Sequence, residues 1–223
     1  MAVDLRAGDE AEAAATLASV AERLDPRHTA VLVIDMQNDF CAPGGFVETG
    51  AGLDATPCRA VVPPIEALLD RARAAKVPVI WVCADYDFDK VPPAMRAKAL
   101  ERGSTQMFAC GGTWGAEFYG VAPAAGERVF DKTSYSAFMG TRLDRHLRGL
   151  SIRTLVFCGV QTNVCVDTSV RDAASLGFYV AVAADCVASH TPALHEATLK
   201  TLGFLFGDVL PKAEIVRHWE AAR

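Results

Sequence analysis

Five short apolar, β-branched runs recur along the chain: Ala30 to Asp35, Val77 to Ala84, Arg128 to Lys132, Thr154 to Gly159 and Tyr179 to Cys186. Apolarity that is continuous rather than alternating predicts strands covered on both faces, which parallel sheets require. Helical patterns fill the intervals at Pro64 to Ala75, Pro93 to Arg102, Thr141 to Leu150, Asn163 to Leu176 and Pro192 to Leu202. Pro64, Pro93 and Pro192 stand in first turns, and Gly103, Gly177 and Gly203 follow the ends, the polarity expected of helix starts and stops. The run Phe204 to Leu210 is read as a sixth strand. Repeated strand–helix units predict a single-domain α/β fold, a doubly wound six-stranded parallel sheet with helices on both faces.

Before the first strand, residues 1–28 read as a helical extension, with Leu17, Val20, Ala21 and Leu24 on one face; residues 29–223 form the domain. No basic flank precedes an apolar run there, so a signal peptide is not expected. A net charge of −5 gives no electrostatic footprint for nucleic acid, and no apolar stretch approaches the roughly 20 residues of a membrane span. Seven cysteines, three of them inside the apolar runs, fit a reducing cytoplasmic setting. Small molecules are the expected partners, and a homo-oligomer, dimer or tetramer, is the expected assembly.

In a doubly wound sheet, ligands bind beyond the carboxyl ends of the strands. Three residues with nucleophilic or acid–base chemistry lie there. Asp35 closes the first run, Lys132 closes the third, and Cys165 lies six residues past Gly159. Gly159-Val-Gln-Thr-Asn-Val-Cys165 turns from strand to helix and places the thiol in the first helical turn. There a helix dipole and a neighbouring ammonium would favour a thiolate. Asp35 is the candidate general base, and the backbone N–H groups of Gln161 and Cys165 are the candidate oxyanion donors. Taken singly, a buried cysteine is more often packing, an aspartate a turn cap and a lysine a surface charge. Their joint placement at strand ends singles them out.

No metal site is expected. Asp85, Asp87 and Asp89 begin like a calcium loop, but Lys90 and Arg96 occupy the positions of its glycine and bidentate acid. His190 and His195 lack zinc-ligand spacing. No glycine-rich phosphate loop follows the first strand, so no dinucleotide and no other cofactor is expected.

Three segments carry a family resemblance: Val31-Leu-Val-Ile-Asp-Met-Gln-Asn-Asp-Phe40, Asp131-Lys-Thr-Ser-Tyr-Ser-Ala-Phe138 and Cys158-Gly-Val-Gln-Thr-Asn-Val-Cys-Val166. Together they resemble the isochorismatase-like cysteine hydrolases from about Thr29 to Val209. The resemblance implies a six-stranded parallel sheet, a catalytic Asp35, Lys132 and Cys165, and a cis peptide between Val160 and Gln161. True isochorismatases lack the cysteine. Nicotinamidases carry a metal-holding aspartate and paired histidines after the second strand, whereas Cys83-Ala-Asp-Tyr-Asp87 contains no histidine. The resemblance therefore implies the amidohydrolase branch acting on ureido or carbamoyl compounds, similar to ureidoacrylate, biuret and N-carbamoylsarcosine amidohydrolases. Phe40-Cys-Ala-Pro-Gly-Gly-Phe-Val47 is similar to that branch. Ala84 and Tyr86 depart from it, standing near the positions of an Asn and a Trp in ureidoacrylate enzymes. Phe40, Trp114, Tyr135 and Gln161 are the candidate substrate-binding residues. Nicotinamidase-like or maleamate-type hydrolysis and non-catalytic ligand binding on the same fold remain the alternatives.

Overall fold

The computed structural model describes residues 16–104 and 107–222. Its six strands are β1 (Thr29–Ile34), β2 (Val79–Ala84), β3 (Arg128–Lys132), β4 (Thr154–Val160), β5 (Tyr179–Ala188) and β6 (Asp208–Leu210). They form one all-parallel sheet in the order β3-β2-β1-β4-β5-β6. Every residue of β1, β2 and β4 is buried, as continuous apolar strands demand, while β3 lies at an edge and buries only Lys132.

Alternation of side chains divides each central strand between two layers. Val31, Val33, Val79 and Trp81 face one side, where α1 (Val62–Ala74) and a C-terminal helix contribute Ile65, Leu68, Leu69, Ile215 and Trp219. Ala30, Leu32, Ile34, Ile80 and Val82 face the other, against Leu143, Leu147, Val170, Ala173 and Leu202. Those residues come from α3 (Leu143–Gly149), α4 (Asp167–Ser175) and α5 (Pro192–Leu205). Between α1 and α3, α2 (Pro93–Glu101) buries no residue; α6 (Lys212–Ala221) completes the chain. Among the described residues no helix is long and apolar enough to cross a membrane.

The winding reverses after β3. The chain returns to the opposite side of β1 and continues outward through β4, β5 and β6. A crevice therefore opens between the carboxyl ends of β1 and β4, the switch point where this architecture binds ligands. Gly159 (φ +109°) lets the two strands meet there, since a Cβ would collide with the Ile34 carbonyl oxygen.

The sixth strand is shorter than the sequence suggests. Phe204 and Leu205 belong to the last turn of α5, and only Asp208–Leu210 pairs with Ala181–Ala183. A glycine stops a helix when it turns left-handed, as Gly177 does with φ +89°; Gly203 is not among the positive-φ glycines, and the helix runs through it. The strand–helix pattern does not reveal α6, although Ile215 and Trp219 stand one turn apart and both are buried. At the other end, among the described residues, an α-helical turn spans Val20–Arg23, capped reciprocally by Ser19 and Glu22. Leu24 is buried, and Arg23 pairs with Asp208 of β6 at 2.8 Å. The remainder of the expected extension, residues 1–15, lies outside the described residues.

Candidate active site

β1 ends at Ile34, and the next residue takes the left-handed conformation: Asp35 has φ +50° while its N–H still donates to the Val82 carbonyl at 2.9 Å. Few residues other than glycine adopt that region, and aspartate is among the more tolerant. The rest of this segment ties down a loop. Gln37 Oε1 accepts the Ala84 N–H at 2.8 Å, and its Nε2 donates to the carbonyls of Ala84 (3.0 Å) and Ala116 (2.9 Å). Asn38 Nδ2 donates to the Trp114 carbonyl at 2.8 Å. Asp39 accepts from the N–H groups of Ala109 (2.6 Å) and Phe46 (3.1 Å). A Cβ at Gly115 would overlap the Asp39 carboxylate, so this approach requires glycine.

Lys132, the last residue of β3, extends its ammonium to the same place. Nζ lies 2.9 Å from Asp35 Oδ2, 2.6 Å from Tyr86 Oη, 3.1 Å from the Ser134 carbonyl oxygen and 3.4 Å from Cys165 Sγ. Cys165 sits in a π-helical turn, Thr162–Val166, between β4 and α4. The turn is clamped from both sides. Thr162 Oγ1 shares a 2.9 Å hydrogen bond with His195 Nδ1, and Ser189 Oγ donates to Asn163 Oδ1 at 2.6 Å. Ser169 Oγ donates to the Cys165 carbonyl at 2.6 Å while accepting the Ala137 N–H at 2.9 Å, which joins this turn to the segment carrying Lys132. The Val160–Gln161 peptide is cis.

Asp35, Lys132 and Cys165 are all withdrawn from water. Burial holds the Asp35 carboxyl above the usual carboxylate range, tempered by the Lys132 charge and by Cys165 and Ala84 beside it. Lys132 Nζ and Asp35 Oδ2 form an ion pair with both side chains fully buried. Burial alone would lower Lys132, but attraction to Asp35 and Cys165 outweighs it and holds the ammonium above the usual lysine range. Cys165 is pushed up to about 12, first by burial and then by the Asp35 charge, with Lys132 and Tyr86 pulling the other way. The sulfur lies below the surface, in a turn that precedes α4 rather than within its first turn, and that burial works against the charge that Lys132 favours.

The candidate binding residues separate. Phe40 is buried and edge-on to Tyr86 and Phe108, at centroid distances of 6.5 and 5.5 Å. Tyr135, partly exposed, is edge-on to Tyr86 at 6.3 Å. Gln161 is buried, but its Oε1 accepts His190 Nδ1–H at 2.9 Å and its Nε2 donates to Cys58 Sγ at 3.4 Å. Its side chain thus braces the turn, and its backbone N–H has no acceptor among the described residues. Trp114 contributes its backbone to the anchored loop, and the residue is 51% exposed. Tyr86, marked in the sequence only as a departure from the ureidoacrylate pattern, has its hydroxyl in contact with both Lys132 and Cys165. Beside it Asp85 is engaged by Lys90 Nζ at 2.6 Å and by the Gly111 N–H at 2.9 Å. Among the described residues no group of three His, Cys, Asp or Glu is placed to hold a metal ion.

An acid, an amine and a thiol converging at the switch point of a doubly wound sheet define an α/β protein built for chemistry on a small molecule. The isochorismatase domain matches residues 29–214, and the chain belongs to the isochorismatase family, in its amidohydrolase branch. It is 34% identical over 198 residues to the ureidoacrylate amidohydrolase RutB of Methylobacterium radiotolerans, covering 82% of this chain and 76% of that one. The RutB of Agrobacterium fabrum is 35% identical over 198 residues, covering 82% and 86%. Among solved structures, a cysteine hydrolase from Pseudomonas syringae pv. phaseolicola superposes with a TM-score of 0.78 at 31% identity, covering 90% of this chain and 96% of that one. The N-carbamoylsarcosine amidase of Thermoplasma acidophilum gives 0.67 at 26% identity, covering 82% and 96%. The protein is a hydrolase acting on carbon–nitrogen bonds other than peptide bonds, in linear amides.

Proposed function

We propose that this chain is a cysteine amidohydrolase that cleaves a C–N bond of a small linear ureido or carbamoyl compound. The observation that carries the reading is the buried triangle of Asp35, Lys132 and Cys165, assembled from three separate segments at the switch point. Asp35 takes the thiol proton as Cys165 sulfur attacks the carbonyl carbon, and the developing oxyanion is held by the backbone N–H groups of Gln161 and Cys165. The C–N bond then breaks, and Asp35 returns the proton to the departing ammonia or amine. Water hydrolyses the thioester, with Asp35 accepting its proton, and the thiol is restored. Lys132 keeps the site's negative charge balanced as it moves between carboxylate and sulfur.

The substrate class is supported by the relatives' names, ureidoacrylate amidohydrolase and N-carbamoylsarcosine amidase. Phe40 and Tyr135 supply the wall, and the Tyr135 hydroxyl a hydrogen-bonding group. The enzyme works in the cytoplasm, in keeping with its seven unpaired cysteines, as a homo-oligomer.

Ammonia release from ureidoacrylate, biuret, triuret, N-carbamoylsarcosine, maleamate and nicotinamide at equal concentration tests the substrate class. A ureido or carbamoyl compound is expected to lead. Preference for nicotinamide or maleamate would overturn that class while sparing the cysteine chemistry, and no turnover of any would favour a binding protein.

A further inference from the structure

We propose that Tyr86 is a further catalytic residue, its hydroxyl donating a hydrogen bond to Cys165 sulfur once Asp35 has taken the thiol proton. This rests on the cysteine mechanism above. Tyr86 Oη lies 2.6 Å from Lys132 Nζ, 3.2 Å from the Ser134 carbonyl oxygen and 3.4 Å from Cys165 Sγ. An ammonium can only donate, so Oη accepts from Lys132 and keeps one proton to give. Two acceptors compete for it. While sulfur carries its own proton it is a weak acceptor, and the Ser134 carbonyl takes the phenol hydrogen. When that proton moves to Asp35, sulfur becomes an anion, and rotation about the C–O bond redirects the O–H without displacing a heavy atom.

The surroundings suit this role. Phe40, Phe108 and Tyr135 meet the Tyr86 ring edge-on at 5.5 to 6.5 Å and fix its plane. Donation from Lys132 into Oη polarises the O–H that sulfur receives. Burial and the neighbouring Cys165 and Asp35 charges hold the phenol well above the usual tyrosine range, so it stays a donor throughout neutral pH. Lys132 thereby acts on sulfur both directly and through Tyr86.

Tyr86→Phe removes the hydroxyl and keeps the ring. Iodoacetamide alkylation of Cys165, followed by peptide mapping at pH 8, is expected to slow about threefold to tenfold, because fewer thiolates form while each becomes somewhat more nucleophilic. The kcat should fall at least about tenfold with KM within about twofold, and the melting temperature should stay close to wild type. Unchanged alkylation in the folded variant, whatever happens to kcat, would overturn the proposal. If the Tyr86→Phe variant fails to fold, 3-fluorotyrosine in place of Tyr86, a more acidic donor, should speed alkylation, and an equal or slower rate would overturn it. A Cys165→Ala control separates the two levels: turnover by that variant would instead refute the cysteine mechanism itself.

Discussion

Lys132 Nζ lies 2.9 Å from Asp35 Oδ2, and neither side chain reaches water. A buried pair of this kind is costly to break from one side, because the survivor is left charged without a partner. Lys132→Met is therefore expected to destabilise the fold by about 3 kcal/mol and to abolish turnover. Adding Asp35→Asn should recover much of that stability and none of the activity. Urea denaturation of the two single variants and the double variant measures the coupling, and additive losses would show that the pair is not a unit.

The pH profile follows from the same charges. Asp35 must be ionised to accept the thiol proton, so activity falls as pH drops through its raised pKa and the carboxyl takes a proton. Cys165, pushed up to about 12, and Lys132, held above the lysine range, both keep their protons into mildly alkaline solution. The expected profile of kcat/KM has one acidic limb and a plateau reaching about pH 9. A bell with an alkaline limb near pH 8 would contradict this assignment of charges, since neither Cys165 nor Lys132 would then hold its proton as the site requires.

Much of this arrangement is legible in the sequence, because strands buried on both faces leave unbroken apolar runs and the switch-point rule selects the residues just after them. That reasoning brings Asp35, Lys132 and Cys165 to one place. It misjudges what depends on packing. Gly203 looks like a stop but has no left-handed turn, and the hold of His190 and Cys58 on the Gln161 side chain is invisible in the sequence. Tyr86 carries a readable signal, standing two residues beyond β2 in the same strand-end position as the others, yet a tyrosine flanked by Asp85 and Asp87 resembles a solvated turn. The Met36-to-Phe40 segment is legible only as a motif. The clamps of Gln37, Asn38 and Asp39 on residues far along the chain emerge from the fold alone.

Gln37 makes three hydrogen bonds, the two to Ala84 buried and the one to Ala116 part-buried, that join the end of β1, β2 and the loop at Ala116. Gln37→Ala leaves peptide groups of Ala84 without partners and should cost about 3 kcal/mol. Because it also releases the loop, kcat/KM should drop more than about tenfold. Thermal melts alongside steady-state kinetics check both, and a variant with wild-type stability would show that water replaces the side chain fully.

Exhaustive chelation should leave the rate unchanged, since the carboxylate of Asp85 is engaged by Lys90 and Gly111 and no histidine stands beside it in the sequence. An enzyme silenced by chelation and restored by zinc or iron would favour nicotinamidase-like chemistry.

The central claim is a covalent intermediate on Cys165. Intact-protein mass spectrometry of the enzyme quenched in acid during turnover of the best ureido or carbamoyl substrate should show an added acyl mass, mapped to the Cys165 peptide. Cys165→Ala should show no adduct and a rate lower by at least about 10³-fold, with the fold intact because the side chain remains small. Near wild-type turnover by that folded variant, or an adduct mapped to another residue, would contradict the account.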